Sequence, residues 1–284
     1  MACGAMVILV LTEMLGYAYY STPLNPPDFK YLKTIRTLTS SSDSFNRIAW
    51  IGQHNKTSLT GGYDIAGYDS AAPRRYSEFL VIAQGESPDM VRQAIQIKRY
   101  HPLYEMLQCR YWISKQGDQL KVEEFPCRIP YSYFVRNYKV FSHRHDVFYE
   151  MIRSPFQAPK EVFLETLPVF GPVHKNSKTS VEFERISVNE IELKVKSKVP
   201  GILVISESYS KYWHAISLIN PVKHAYSVEP ANGAFCSIPL TAGDHHIAMT
   251  YLPSGFISGG YISMLAWTLF LMIIIGRKKH SKKL

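Results

Sequence analysis

The sequence is poor in the features that mark several common protein classes. Only 19% of its 284 residues are charged and only four are cysteine. With no C-x-x-C pair among them, a disulfide-dense miniprotein and a zinc finger or ribbon are excluded. The chain also lacks a G-x-S-x-G elbow, an H-E-x-x-H helix, a phosphate loop and a dinucleotide fingerprint. It is 46% apolar and 13% aromatic, so we expect a folded protein.

The longest stretch without charge lies near the carboxyl end. Residues 254–276 contain no charged side chain, which at about 1.5 Å per residue is enough to cross a hydrocarbon core of about 30 Å. A buried helix of a soluble protein is the alternative. The chain has a net charge of +9, and five positively charged residues lie in its last eight positions, directly after this stretch. This basic tail predicts a cytoplasmic C-terminus and a preceding region outside the cell, and it favours a membrane anchor over a nucleic-acid contact.

The N-terminal residues 1–20 are also mostly apolar, but no lysine or arginine precedes them and Glu13 interrupts the run. A secretory signal normally has a basic start and a small-residue cleavage site. We therefore interpret the segment as the second half of a transmembrane helix whose beginning is missing, with Glu13 near the outer surface. The chain is then predicted to be the C-terminal piece of a longer polytopic protein.

Between these segments the pattern predicts an α+β fold, with an extracytoplasmic mixed α/β region at 21–172 and an antiparallel β-sandwich at 173–253, flanked by transmembrane helices. In the first region we predict helices at 72–80, 101–107 and 145–152. Strands are expected there at 45–51, 109–113, 131–141 and 161–166, with a hairpin after the second of them. In the second region seven short strands alternate with turns. They are predicted at residues 180–186, 190–196, 201–208, 213–219, 222–228, 234–240 and 245–252.

Several short motifs occur in an order typical of one family. ISESY at 205–209, Trp213, ANGAF at 231–235 and PLTAG at 239–243 are followed by Thr250, Tyr251 and the apolar run. Upstream come DIAGYD at 64–69, PRRY at 73–76 and CRY at 109–111. In this order and between two membrane segments, the motifs resemble the C-terminal part of bacterial YfhO-type membrane proteins, over nearly the whole chain.

That resemblance implies a place in sugar transfer. Members of the family look like glycosyltransferases of the GT-C type, which take sugars from polyprenyl-phosphate carriers and attach them to cell-envelope polymers. Their acidic catalytic positions are expected in early external loops, which this chain does not contain. The implied partners are therefore the lipid bilayer, an envelope glycan or a polyprenyl-phosphate-linked sugar, and the missing transmembrane helices, with no nucleic acid.

Arg74 and Arg75 are the first candidate binding residues, because they follow a glycine-rich loop at the start of a predicted helix. Guanidinium groups at such a place can hold a phosphate or an anionic glycan. The alternative is structural: the arginines pair with Asp64 or Asp69 and fix the loop. Asp69 is included among the candidate ligand-binding residues.

A second candidate is an aromatic and amide platform for a sugar ring, formed by Tyr209, Tyr212, Trp213 and Asn232. Sugar C–H faces stack on aromatic rings, and amides bind hydroxyls. Packing of Trp213 in the core or in a loop is the structural alternative.

No metal or cofactor is predicted. His245 and His246 are adjacent on a predicted strand, so they point to opposite faces, and His143 and His145 lack a third ligand nearby. A disulfide joining Cys109 and Cys127 across the hairpin and a pair of buried thiols are both possible.

These observations favour a non-catalytic extracytoplasmic and membrane-anchoring portion of a protein for cell-envelope glycosylation. The alternative is a stand-alone, membrane-anchored glycan-binding module. Since the chain shows no recognisable catalytic constellation, an independent enzyme is the weakest hypothesis.

Overall fold

A computed structural model describes residues 12–17, 31–40, 46–52, 55, 57, 61–67, 72–92, 95–117, 119–153, 156–171, 177–219 and 224–281. Within these residues the fold is mixed α/β, with three sheets whose strand pairs are mostly antiparallel and an apolar C-terminal helix. The described part of the N-terminal segment, residues 12–17, is helical and exposes Glu13.

The first sheet has the strand order β2-β1-β3-β4. Its strands are β1 (Arg47–Trp50), β2 (Tyr63–Asp64), β3 (Cys109–Gln116) and β4 (Gln119–Glu124). β3 and β4 form the predicted antiparallel hairpin, whereas β1 runs parallel to both of its neighbours. β2 was not predicted: it is two residues long and lies in the glycine-rich passage expected to be a loop.

The helices around this sheet are α1 (Leu32–Ser40), α2 (Arg74–Ala83) and α3 (Arg144–Arg153), with 3₁₀ segments at Pro88–Met90 and Pro102–Leu107. The predicted helix at 101–107 is thus a 3₁₀ helix. α2 begins directly after Pro73, whose fixed φ suits the start of a helix. Its residues from Ser77 to Ala83 are all buried, because the helix lies against the main hydrophobic cluster of the molecule.

The second sheet has the order β5-β10-β14-β13-β7-β6 and the third has the order β12-β11-β15-β9-β8. Their ranges are β5 (Ser132–Val135), β6 (Asn137–Val140), β7 (Glu161–Leu164), β8 (Thr179–Ser187), β9 (Glu190–Ser197), β10 (Gly201–Ser208), β11 (Trp213–Ser217), β12 (Ala225–Tyr226), β13 (Glu229–Ala231), β14 (Phe235–Leu240) and β15 (Gly243–Tyr251). The predicted single strand at 131–141 is two strands, β5 and β6, at opposite edges of one sheet.

The sheets do not divide at residue 172, where the boundary between the two regions was predicted. Three strands from the predicted upstream region, β5, β6 and β7, complete the six-stranded sheet with β10, β13 and β14. One hydrophobic cluster combines buried residues of this sheet, such as Leu203 and Ile238, with Leu193 and Met249 of the five-stranded sheet. The predicted sandwich and the predicted domain boundaries stay predictions.

The chain continues from β15 into α4 (Ser254–Ser281). Of the described helices, this one is long and apolar enough to cross a membrane: residues Ser254–Ile275 have a mean hydropathy of 1.8, and none of the span is buried in the protein. A run of exposed large apolar side chains needs another apolar environment, which a bilayer provides.

His101 gives the fold a pH dependence that can be measured. Its Nδ1 accepts the Leu103 N–H at 3.3 Å and caps the 3₁₀ helix, while burial, reinforced by Arg99, lowers its pKa. The unfolded chain therefore binds a proton more readily than the folded chain, and stability should fall as the pH drops below about 6.5. We expect a loss below about 1 kcal/mol between pH 7 and about pH 5.5, since the ring is only partly buried. Chemical unfolding at the two pH values should show this loss in the wild type and a smaller one in His101→Asn, which keeps the cap without titrating; equal losses would contradict it.

Candidate functional site

Arg75, in the first turn of α2, joins three separate parts of the fold. Its two terminal nitrogens donate to the carboxylate of Glu165, one of them to Oε2 at 2.9 Å, and one also donates to the Gly233 carbonyl oxygen at 3.0 Å. The guanidinium carbon lies 5.3 Å from the centre of the Tyr209 ring. Such a bidentate pair with a cation–π contact holds a positive charge in one orientation.

Further polar groups extend this patch along the end of β13. Glu229 accepts hydrogen bonds from the Ser227 hydroxyl at 2.6 Å and the Thr166 hydroxyl at 3.3 Å. Burial raises the pKa of Tyr209, and the negative charge of Glu229 raises it further, so the phenol keeps its proton at neutral pH. We call Arg75, Glu165, Tyr209 and Glu229 the Arg75 cluster. It presents one cation, two carboxylates and a phenol at a partly exposed surface.

Arg74 points elsewhere. Its Nε donates to Glu78 at 2.9 Å, four residues further along α2, and its side chain is 70% exposed. Glu78 is fully buried and is also paired with Arg144 of α3 at 2.7 Å. Both arginines of the predicted site are therefore ion-paired, Arg74 with Glu78 and Arg75 with Glu165. The predicted pairing with Asp64 or Asp69 stays a prediction, and Asp69 lies outside the described residues.

Two members of the predicted aromatic and amide platform are inside the protein. Trp213 is 8% exposed, packs in the core between the two larger sheets and donates its indole N–H to the Ser208 carbonyl at 3.1 Å. Asn232 is fully buried; its Oδ1 accepts the Phe163 N–H at 2.9 Å and its own N–H donates to the Phe163 carbonyl at 2.7 Å. A sugar contact through these two side chains stays a prediction.

The structure does bring the Asn232 turn and Tyr209 together around Arg75. Asn232 and Gly233 both adopt positive φ between β13 and β14, and this turn directs the Gly233 carbonyl at Arg75. Next to it, the Tyr209 N–H donates to the Ala234 carbonyl at 2.8 Å. Asn232 therefore contributes to the cluster through the backbone of its turn.

Comparison with known proteins identified a family that matches part of the chain. Residues 170–263 match the family model described as "Bacterial membrane protein YfhO". Over these residues, which we call the YfhO-type portion, the chain is similar to YfhO-type membrane proteins. No curated protein and no solved structure matched the chain. The matched range covers β8 to β15 and the first residues of α4, so it joins a folded β region to the apolar helix. Family and helix together support a membrane location.

The Arg75 cluster crosses the border of the YfhO-type portion. Tyr209, Glu229 and Gly233 lie within the matched range, whereas Arg75 and Glu165 come from upstream. Sequence reasoning missed Glu165 and Glu229. Glu165 is 90 residues from Arg75 along the chain, and no local pattern links them.

A second ionic group, also missed, ties the YfhO-type portion to the first sheet. Glu207 of β10 contacts Arg185 of β8, Tyr131 and, at 3.9 Å, Arg47 of β1. Burial raises the pKa of Tyr131, so its hydroxyl stays a hydrogen-bond donor to the Glu207 carboxylate. Tyr131 and Arg185 also line an open cleft of about 910 Å³ together with the exposed Arg128.

The histidines and cysteines do not assemble a metal site among the residues that the structure describes. His245 lies 3.0 Å from both the Tyr226 hydroxyl and the Thr241 carbonyl, while His246 contacts Glu192 instead. Cys109 and Cys127 are free thiols here, with no bond between them. Burial raises the pKa of Cys109 to about 12, so this thiol is protonated and poorly reactive at neutral pH.

Proposed function

We propose that this chain is the non-catalytic extracytoplasmic and membrane-anchoring portion of a YfhO-like membrane protein that acts in cell-envelope polymer glycosylation. The observation that carries the proposal is the direct connection between the YfhO-type β region and an unburied apolar helix of membrane-spanning length. A helix so exposed would be unstable in water, and it anchors the folded part to a bilayer.

The charges on either side of α4 support the proposed orientation. Arg277, Lys278 and Lys279 follow the apolar span, together with Lys282 and Lys283. Positive residues next to a span favour the cytoplasmic side. The sheets are then outside the cell, where envelope polymers and lipid-linked sugars are found.

Three carboxylates of the folded part are engaged in ion pairs, which supports a non-catalytic role. Transfer of a sugar needs a carboxylate that can accept or donate a proton at the reacting oxygen. Glu78, Glu165 and Glu207 are each ion-paired with at least one arginine, so their oxygens are already engaged within the protein. In this proposal catalysis belongs to other parts of the longer protein, and this portion positions the acceptor or supports the other helices.

The topology can be tested with reporter fusions in the bacterial membrane. A reporter that is active only outside the cytoplasm should be active when fused after Gly171 and inactive when fused after Leu284. Reporters on the same side would contradict the proposed orientation. Release of the unfused chain into a detergent-free soluble fraction would contradict membrane anchoring itself.

The second candidate function is a membrane-anchored module that binds envelope glycan. The observation that favours it is the Arg75 cluster, where a fixed guanidinium lies over the partly exposed Tyr209 ring beside two carboxylates. The Tyr209 ring offers a surface for sugar C–H groups, and the carboxylates can accept hydrogen bonds from sugar hydroxyls.

This candidate predicts a specific loss of binding. In Tyr209→Leu the Arg75–Glu165 pair can remain while the ring is removed, so we expect the affinity for a neutral envelope glycan to fall by about fivefold, corresponding to about 1 kcal/mol. Titration calorimetry of the detergent-solubilised chain measures the change. Tyr149→Leu removes an exposed tyrosine from α3 and should leave binding unchanged. If both variants bind like the wild type, and alanine at Arg74 and Arg75 also leaves folding and binding unchanged, the cluster has only a structural role.

A further inference from the structure

The end of the five-stranded sheet that faces α4 exposes apolar side chains. Val188, in the turn between β8 and β9, is 79% exposed, and Ile186 just before it is 48% exposed. Leu252, between β15 and α4, is 45% exposed. Tyr212 lies beside them and Lys211 is exposed next to it. We call these five residues the juxtamembrane surface.

Backbone hydrogen bonds hold this surface at the base of the helix. The Tyr251 N–H donates to the Asn189 carbonyl at 2.8 Å, which fixes the β8–β9 turn to the end of β15. The Leu252 N–H donates to the Tyr212 carbonyl at 3.0 Å, which fixes the loop before β11 to the same point. Ser254 is three residues beyond Tyr251, so at most about 11 Å of chain separates these anchoring bonds from the start of α4.

The composition of the surface matches the interfacial layer of a bilayer. Tyrosine is enriched at this level because its ring is apolar and its hydroxyl is polar. The Lys211 ammonium lies 5.3 Å from the centre of the neighbouring Tyr212 ring and can meet a lipid phosphate from there. In water, by contrast, a valine that is 79% exposed contributes no hydrophobic stabilisation to the turn.

We infer that the juxtamembrane surface inserts its apolar side chains into the outer headgroup layer of the membrane that α4 crosses, so that the folded part rests on the lipid in one orientation. The inference rests on the proposed function in one respect, namely that α4 spans the bilayer. Lipid is the partner of the juxtamembrane surface, because this surface is continuous with the spanning helix and combines apolar and aromatic side chains with a cation.

The test uses the full chain in phosphatidylcholine vesicles that contain phosphatidylglycerol. A polarity-sensitive fluorophore is attached at Val188→Cys, and quenching by lipids with a nitroxide near the headgroup is measured. The matched control is Ala242→Cys, an exposed residue at the other end of β15, about 27 Å away along the strand. The labelled wild type corrects for the native thiols.

We expect the label at 188 to shift to shorter wavelength and to lose most of its emission to the shallow quencher, while the label at 242 keeps its emission. Equal quenching at 188 and 242 would overturn the inference. A third label at Ser263→Cys, in the middle of the apolar span, distinguishes a failure of this inference from a failure of the membrane anchor. If deep nitroxides quench 263 but shallow ones spare 188, the juxtamembrane inference fails alone; if 263 is not quenched either, the membrane anchor of the proposed function fails too.

Discussion

Replacing Arg144 with methionine should destabilise the protein by about 3 kcal/mol. Arg144 supplies the 2.7 Å contact to the fully buried carboxylate of Glu78, and methionine keeps most of the aliphatic stem while removing the charge. The carboxylate would then be left with Arg74, which is 70% exposed and in contact with water, and with His145, whose Nε2 lies 3.8 Å from Glu78 Oε1. A buried charge without its main partner is costly, because the loss of hydration is no longer compensated. Urea unfolding of the detergent-solubilised chain measures the effect.

Two further variants make this prediction specific. Arg74→Ala removes the exposed partner of Glu78 and should cost no more than about 0.5 kcal/mol, as exposed pairs usually do. Adding Glu78→Gln to Arg144→Met removes the buried charge and should recover part of the lost stability. A double variant no more stable than Arg144→Met would show that the loss came from packing of the arginine stem and not from charge.

Gly233→Ala should also cost about 3 kcal/mol, through two separate effects. Gly233 has φ +71°, and an L side chain there costs about 1–2 kcal/mol. A Cβ would in addition lie 2.4 Å from the buried ring of Phe148, and such overlap in a packed core typically costs about 1–3 kcal/mol. Thermal and urea unfolding should both show the loss.

Gly117→Ala is the matched control for the backbone. Gly117 has φ +59°, but apart from its chain neighbours no atom of the described residues lies within 4 Å of the position of a Cβ, so this variant should show the cost of the positive φ alone. If the two alanine variants lose the same stability, the contact with Phe148 has no effect. The Gly233 carbonyl also accepts a hydrogen bond from Arg75, and any shift of this turn should loosen the Arg75 cluster.

Local signals in the sequence were sufficient for much of the fold. The β3–β4 hairpin, the helix after Pro73 and the long alternating strands of the C-terminal half were all predicted, because periodicity and turn residues act over a few positions. β13 was missed, since it is three residues long and contains Pro230. The assignment of β5, β6 and β7 to one sheet with β10 depends on pairing between distant segments, which no local pattern encodes.

The candidate site shows the same limit. The Arg74–Glu78 pair has the i,i+4 spacing of helical ion pairs and could have been predicted from the sequence. The Arg75–Glu165 pair could not, since it joins a helix to the end of a strand in another part of the chain. For Trp213 the structural alternative agrees with the burial along β11, where Trp213, Ala215 and Ser217 are buried and His214 is exposed.

The way in which β15 passes into α4 has a mechanical consequence. β15 is an inner strand, paired antiparallel with β11 on one side and with β9 on the other. A pull on the helix along its axis, as when the membrane bends, is transmitted to the strand lengthwise. The hydrogen bonds on both sides of β15 are then loaded together and must break at the same time, not one after another. An inner strand in this arrangement resists force far better than an edge strand would.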